Sequence, residues 1–526
     1  MARLRPGGAG AAFGFGVCAL AVILGATVAA AQSSTDIFGA PDEWDPDNPP
    51  KLIKKPDFGN PAGSGAGSTG FISTNKPRKP RAKPNGAAPA PPQPAAAEAR
   101  TAAAPLQQPQ PPSSLVPMPP PSYAPAQPPS AAPEITGAIP PKRKPKPALD
   151  PYEPLGIRAG SFILRPAIAL TGGFDSNPDR TPAGTGSSLY IVAPELKVQS
   201  DWERHELRAD LRGTYTGYGS ESSLNAPYFQ STVDGRIDWT RRTQIKLQNR
   251  FLLATDNPGS PNFQAGVAKP AIYTTFGGSA ELVHQFNRLE LSGKAGIDRT
   301  TYQDSKLVDG SSVNNDDRNL NDYALELRGS YELRPGVKPF VDVQGDRRLH
   351  DLEFDSLGVR RDSTGLSPRL GTSFELTRLL TGEVSVGYVQ RHYQDPTLED
   401  LSGPIAQGSL LWLATPLTSM KLTLNSTVYE STETNVSGVL SRDAGIEVDH
   451  AFRDWLVGGV KLGYGLDDYV GSPREDRRFS AGAELTYKMN RDVQLKGELR
   501  REQRRSNETG NDYDANIFLL TLRLQR

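Results

Sequence analysis

Apolar and polar positions alternate with a period of two along most of the chain beyond residue 152. Phe162, Leu164, Pro166, Ile168 and Leu170 fall on one side, and Ile163, Arg165, Ala167, Ala169 and Thr171 on the other. That pattern predicts a β-strand with one apolar and one mixed face. The last stretch reads the same way: Phe518, Leu520, Leu522 and Leu524 alternate with Leu519, Thr521, Arg523 and Gln525. These two strands are expected to meet edge to edge and close a barrel. Between them, Leu207, Ala209, Leu211, Gly213 and Tyr215 oppose Arg208, Asp210, Arg212, Thr214 and Thr216. Phe479, Ala481, Ala483, Leu485 and Tyr487 oppose Ser480, Gly482, Glu484, Thr486 and Lys488. A soluble sandwich also alternates, but it rarely sustains so many strands of roughly ten residues.

The connections sharpen the reading. Short polar turns are predicted at 202–204, 241–243, 287, 334–336, 378, 416–418, 453–454 and 490–491. Successive turns lie roughly 37 to 48 residues apart, room for two strands and a longer loop. Loops are expected at 172–186, 257–270, 303–317, 351–360, 395–403 and 504–510. Long and short connections are therefore read as alternating strictly, which is the asymmetry of an outer-membrane barrel with its short turns in the periplasm. The fold class predicted for 151–526 is all-β: an antiparallel up-and-down transmembrane β-barrel of about 18 strands. Tyr190, Tyr215, Trp239, Phe286, Tyr331, Trp412, Trp455 and Tyr487 lie near strand ends, where interfacial aromatic girdles belong.

Composition changes the picture before residue 151. Residues 1–31 combine Arg3 and Arg5, an apolar run from 11 to 28 and the small residues Ala29, Ala30 and Ala31, and are expected to be a secretory signal peptide. Removing it takes away Cys18, the single cysteine, and with it any disulfide or thiolate chemistry. Residues 32–150 are rich in Pro, Ala, Gly, Ser and Gln, with too few large apolar side chains to offset ordering entropy, and are expected to be a disordered periplasmic linker. Its basic clusters, Lys76, Arg78, Lys79, Arg81 and Lys83, then Lys142, Arg143, Lys144 and Lys146, could meet a cell-wall or periplasmic partner, or could keep a spacer solvated.

The Lys+Arg and Asp+Glu counts are both 59, so no global attraction to nucleic acid is expected. The mean hydropathy is negative. A helical membrane bundle is thereby excluded, but not a barrel, which turns only alternate residues to lipid.

Tyr152-x-Pro154-x-Gly156-Ile157-Arg158-x-Gly160-Ser161-Phe162-x-Leu164-x-Pro166, followed by Phe174-Asp175-Ser176-Asn177-Pro178 and Pro194-x-Leu196, resembles the putative β-barrel porin 2 family over about 152–526. The resemblance implies a Gram-negative outer-membrane barrel and no catalytic residues. Some relatives accompany exopolysaccharide pathways, which implies a possible export role. The sequence departs from the usual barrel ending, an aromatic residue, by closing on Leu524-Gln525-Arg526.

With the apolar set facing lipid, the alternate set lines the lumen. The candidate pore-lining residues are Arg208, Asp210, Arg212, Asp234, Arg236, Asp238, Lys246 and Arg250. Arg208, Arg212, Arg236 and Arg250 form a basic track suited to an acidic solute or polysaccharide; pairing of the same charges across strands is the structural alternative. No cofactor is expected. The expected surroundings are outer-membrane lipid, lipopolysaccharide and the barrel assembly machinery. The functional reading is a porin-like channel for passive solute passage or exopolysaccharide export. One alternative is a structural protein anchoring the basic arm to the envelope. A hydrolase is the other, drawing on His350 with Asp351, or Arg391 and His392 with Asp395, at the outer rim. His205, His284 and His450 are expected at the periplasmic end, and the acidic stretch from Asp304 to Asp317 does not fit a twelve-residue calcium loop.

Overall fold

The computed structural model describes residues 152–526 apart from 262, 264–266, 308, 378 and 432. The signal-peptide and linker expectations for 1–150 lie outside the described residues. Eighteen long strands run β1 Phe162–Asp175, β2 Ser187–Ser200, β3 Glu206–Tyr218, β4 Ala226–Asp238, β5 Thr243–Thr255, β6 Ile272–Gln285, β7 Leu289–Tyr302, β8 Leu320–Tyr331 and β9 Val337–His350. They continue β10 Ser363–Thr377, β11 Leu380–Tyr393, β12 Leu401–Thr415, β13 Thr418–Glu430, β14 Gly438–Arg453, β15 Leu456–Val470, β16 Glu475–Lys488, β17 Val493–Ser506 and β18 Tyr513–Gln525. Each pairs antiparallel with the next, and β1 pairs with β18 from Ala167↔Gln525 to Asp175↔Ile517. The sheet therefore has no long free edge. Among the described residues no helix is long and apolar enough to cross a membrane, and the wall crosses with strands.

The strands hold 12 to 16 residues, more than the roughly 9–11 that a tilted strand needs to span a bilayer. The surplus raises the wall beyond the apolar band at the loop end. On β18 the even positions Phe518, Leu520, Leu522 and Leu524 are exposed outward, whereas Leu519, Thr521, Arg523 and Gln525 are buried inside. The predicted facing holds at both ends of the chain. All eight aromatics expected at strand ends are exposed outward, and Trp202, Trp239, Trp412 and Trp455 all sit at the short-turn rim. Cysteines at Leu211 and Arg212 should label oppositely with a bulky aqueous thiol reagent, Arg212→Cys reacting and Leu211→Cys protected by lipid. Equal reaction would contradict the facing.

Seven of the eight short turns fall where the sequence puts them, and the eighth, at 378, lies outside the described residues. The loops expected at 257–270, 303–317 and 351–360 also fall in place to within two residues, but others are shorter than expected: β1 runs through Gly172 and Gly173 to Asp175, and β17 runs on to Ser506. Strict alternation of long and short connections is also corrected, since the outer connection 471–474 has only four residues. Gly471 makes that tight return feasible with φ 92°; a Cβ there would stand 2.2 Å from the Asn435 carbonyl oxygen.

The chain enters along the inner side of the short-turn rim. Ile157–Ala159 pairs with the start of β1, below the point where β18 ends. Gly156, at φ 75°, lies so close to Ile163 that a Cβ would be 2.8 Å from its side chain. Lys488 Nζ stands 5.7 Å from the centre of the Tyr152 ring.

One part of the wall departs from a regular barrel. The β12–β13 ladder stops at Gly408↔Leu424, whereas β13–β14 continues to Glu430↔Gly438. Above that point the outer half of β13 turns into the lumen, and Glu430 pairs with Arg348 of β9. β14 closes the gap against β12: Leu440 packs with Leu401 and Ile405, and Arg442 Nε donates to the Pro404 carbonyl at 3.0 Å.

Candidate functional site

Within the closed wall, the alternate residue of each strand points to the lumen. The eight predicted lining residues all share that face of β3, β4 and β5, where the register brings Arg208 beside Asp234 and Arg236 beside Lys246. Arg212 holds Asp210 through two bonds of 2.8 Å. Arg208 pairs with Glu206, and Arg236 lies 3.1 Å from Glu206 and 3.5 Å from Asp238. Lys246 reaches Glu281 at 3.3 Å, and Arg250 reaches Asp298 at 2.8 Å. Gln248 donates to Asp234 at 2.9 Å. The arginines of the expected basic track are thus interleaved with carboxylates, Glu206, Glu281 and Asp298 among them.

The facing wall is built differently. On β14 to β17, Lys461 and Lys496 reach Glu484 at 2.8 and 3.0 Å, Lys496 reaches Glu498 at 2.9 Å, and Arg478 bridges Asp467 and Asp443 at 2.6 and 2.9 Å. Exposure separates the two walls. At comparable heights above the short-turn rim, the Arg208 and Lys246 side chains are 50 % and 51 % exposed, against 2 % for Glu484 and 9 % for Lys496. Buried charges persist only when paired, because removing one partner costs about 3–5 kcal/mol. The β14–β17 side is therefore a packed ionic wall and the β3–β5 side a wet one. Glu447, Asp449 and Glu484 bring carboxylate oxygens within 4.8 Å of one another. Lys461 reaches both glutamates, at 3.9 and 2.8 Å, so the cluster reads as part of the ion-pair network.

The outer half of the lumen is narrowed by two elements that the alternation does not announce. One is the in-turned half of β13. The other is the β5–β6 loop, residues 256–271. β15 lies halfway round an 18-strand barrel from that loop, yet the hydroxyl of Tyr469 on β15 stands 3.4 Å from the Pro261 carbonyl and 3.2 Å from Asp476 Oδ2. The described stretch 256–261 of the loop therefore reaches across the lumen. Its base is held by Arg318, which reaches Asp256 at 2.8 Å and lies 3.5 Å above the Tyr302 ring. A small sheet joins it to the β7–β8 loop, with Val267–Lys269 paired to Ser305–Leu307 and that strand to Ser312–Val313.

The histidines do not converge on a hydrolytic site. His350 meets Asp362 and His392 meets Asp400, whereas Asp351 is held by Arg299. Asp395 accepts the Arg360 backbone N–H together with the Thr397 hydroxyl and N–H, which hold its carboxyl down to about 2. His205 accepts the Asp238 backbone N–H at 3.2 Å, and His284 and His450 each stand 2.9 Å from a threonine hydroxyl at the short-turn rim. In the acidic loop, Asp309 is bonded to Ser311 and Asp316 to the Asn314 amide.

Solved structures to which the barrel is similar include the following three. The outer membrane protein OpdK from Pseudomonas aeruginosa is 13% identical, covering 69% of this chain and 99% of its own, with a TM-score of 0.37. A BenF-like porin from Pseudomonas fluorescens Pf-5 is 11% identical, covering 70% and 99%, with a TM-score of 0.37. Pseudomonas aeruginosa OccK2 (OpdF) is 10% identical, covering 69% and 98%, with a TM-score of 0.37. Among curated protein sequences none matches at a significant level. Residues 150–526 match the family described as Putative beta-barrel porin 2, and the chain belongs to that family, an outer-membrane β-barrel porin and not an enzyme.

Proposed function

We propose that the protein is a channel for the passive passage of small hydrophilic solutes, with the path along the wet wall of β3 to β5. Arg208, Asp210, Arg212, Asp234, Arg236, Asp238, Lys246 and Arg250 would line it. The observation that carries this reading is the contrast between the half-exposed Arg208 and Lys246 and the sealed ionic wall of β14–β17. Rows of paired charges along a polar path give a transverse field that retards apolar solutes and passes hydrated ones. A loop tied across the lumen at Tyr469 favours a small solute over a polymer such as an exopolysaccharide. Residue 152 lies at the short-turn rim, so the segment before it is read as periplasmic.

The test is single-channel recording of the protein in planar bilayers with a salt gradient. Stable openings with weak ion selectivity are expected, because the basic and acidic groups along the path alternate. Lys246→Glu removes one positive charge and adds a negative one beside Glu281, so the reversal potential should move toward cation preference. A folded barrel that stays silent, or a Lys246→Glu channel with unchanged selectivity, would remove these residues from the path.

A further inference from the structure

The outward face of β16, β17 and β18 at the loop end carries a cluster that neither the wall nor the channel requires. Arg477 and Arg505 are direct cross-strand partners, and Arg501 lies on the same face of β17. Like charges placed opposite each other weaken a sheet. All three side chains are about half exposed or more. Two carboxylates serve the three guanidinium groups: Glu475 meets Arg477 at 2.9 Å, and Asp514 is shared by Arg501 at 3.1 Å and Arg505 at 2.7 Å. By contrast, Arg299 with Asp351 and Arg442 with Asp468 are one-to-one pairs on the outer rim. Immediately toward the membrane, the same face exposes Phe479, Leu499 and Phe518. The patch therefore joins surplus positive charge to a lipid-facing apolar surface, the two chemistries of an anionic lipid.

We propose that Arg477, Arg501 and Arg505 bind the phosphate groups of a phosphorylated lipid of the outer leaflet, lipopolysaccharide, whose acyl chains lie on Phe479, Leu499 and Phe518. Arginine forks suit phosphate oxygens. The proposal depends on the outer-membrane placement of the barrel and not on its being a channel.

The experiment measures binding of lipid A to the full chain in detergent by native mass spectrometry, with dephosphorylated lipid A and inorganic phosphate as separate arms. Each cation near an anionic lipid surface is worth roughly a fivefold change in binding, so the triple variant R477S/R501S/R505S should bind lipid A about a hundredfold more weakly. Wild-type protein should bind dephosphorylated lipid A far less well, and millimolar inorganic phosphate should not displace the lipid. Arg442→Ser, on a matched pair, should bind as wild type does. Equal binding of the two forms of lipid A by the wild-type protein would overturn the proposal without any variant. So would retention of lipid A by a triple variant that keeps its folded mobility in unheated gels. Displacement by inorganic phosphate would make the patch a simple anion site, and loss of a self-associated species in the triple variant without loss of lipid would make it an interface between copies. Either result refutes the lipid assignment.

Discussion

Replacing Arg180 by Ala is expected to lower the unfolding free energy of the barrel by about 3–5 kcal/mol, the cost of leaving a buried charge without its partner. Arg180 lies in the first outer loop, but its side chain has no solvent exposure. Its guanidinium stands 2.9 Å from Asp175, the last residue of β1, and 3.1 Å from Glu502 on β17. It also donates to the Asn177 carbonyl. Since β18 runs between β17 and β1, this one side chain spans the closing strand and ties both of its neighbours together. The backbone at Arg180 has φ 54°, a conformation uncommon for a residue with a side chain, so the ionic contacts must outweigh that local cost. Lys at this position would keep the charge but lose the planar fork that reaches two carboxylates at once. Urea unfolding of the refolded barrel, followed by the fluorescence of the rim tryptophans, measures the effect. A second variant separates lost pairing from lost packing: Asp175→Asn added to Arg180→Ala should recover part of the loss, because Asp175 is the carboxylate left without an arginine, whereas Glu502 keeps Arg500 at 2.9 Å. A single variant within about 1 kcal/mol of wild type, the range of an exposed ion pair, would show that the seam does not depend on this contact.

Much of this wall was legible in the chain because a barrel strand obeys one local rule. Leu211 and Arg212 are neighbours in sequence and face opposite solvents, and the same parity carries from Phe162 to Leu524 without reference to anything distant. The seam was legible for the same reason, as two amphipathic strands at either end of the alternating region. The pairing of the basic track was half legible. Glu206 lies two residues from Arg208, and Asp210 two from Arg212, on the same strand face, and an interval of two is readable by eye. Asp298, the partner of Arg250, was not, because it arrives from β7 across an intervening strand. The inward fold of β13 left no local trace at all: Thr427 to Glu430 alternate like any other strand end, and what bends them is a contact between Glu430 and Arg348, 82 residues away. The crossing of the β5–β6 loop is still less local, since it ends on a backbone carbonyl 208 residues from its donor. Any residue can supply a carbonyl.

Loosening that crossing is expected to enlarge the conducting path. The loop is held at two places. At its base, Arg318 and Asp256 form a pair with both side chains largely buried; at its far reach, Tyr469 shares its single proton between Asp476 and the Pro261 carbonyl. Tyr469→Phe removes a hydrogen bond worth about 0.5–1.5 kcal/mol, enough to shift an attached–detached equilibrium by roughly two- to tenfold. Because the ring and its contact with the Arg474 guanidinium, 4.1 Å away, stay in place, the wall itself should be unaffected. Single-channel records of Tyr469→Phe should show more frequent transitions between two conductance levels, with the larger level favoured. Arg318→Ala acts at the other end and more strongly, because it strands the Asp256 carboxylate; adding Asp256→Asn relieves that charge while leaving the base untied. The combination of Tyr469→Phe with Arg318→Ala and Asp256→Asn should raise the mean conductance severalfold, with little change in ion selectivity, since the β3–β5 charges are intact. If the triple variant folds and conducts as wild type does, the solute path does not pass the loop, and the constriction must lie with the in-turned half of β13. A rise in conductance accompanied by a change in selectivity would mean instead that groups on the loop itself help to set the field that a permeating ion meets.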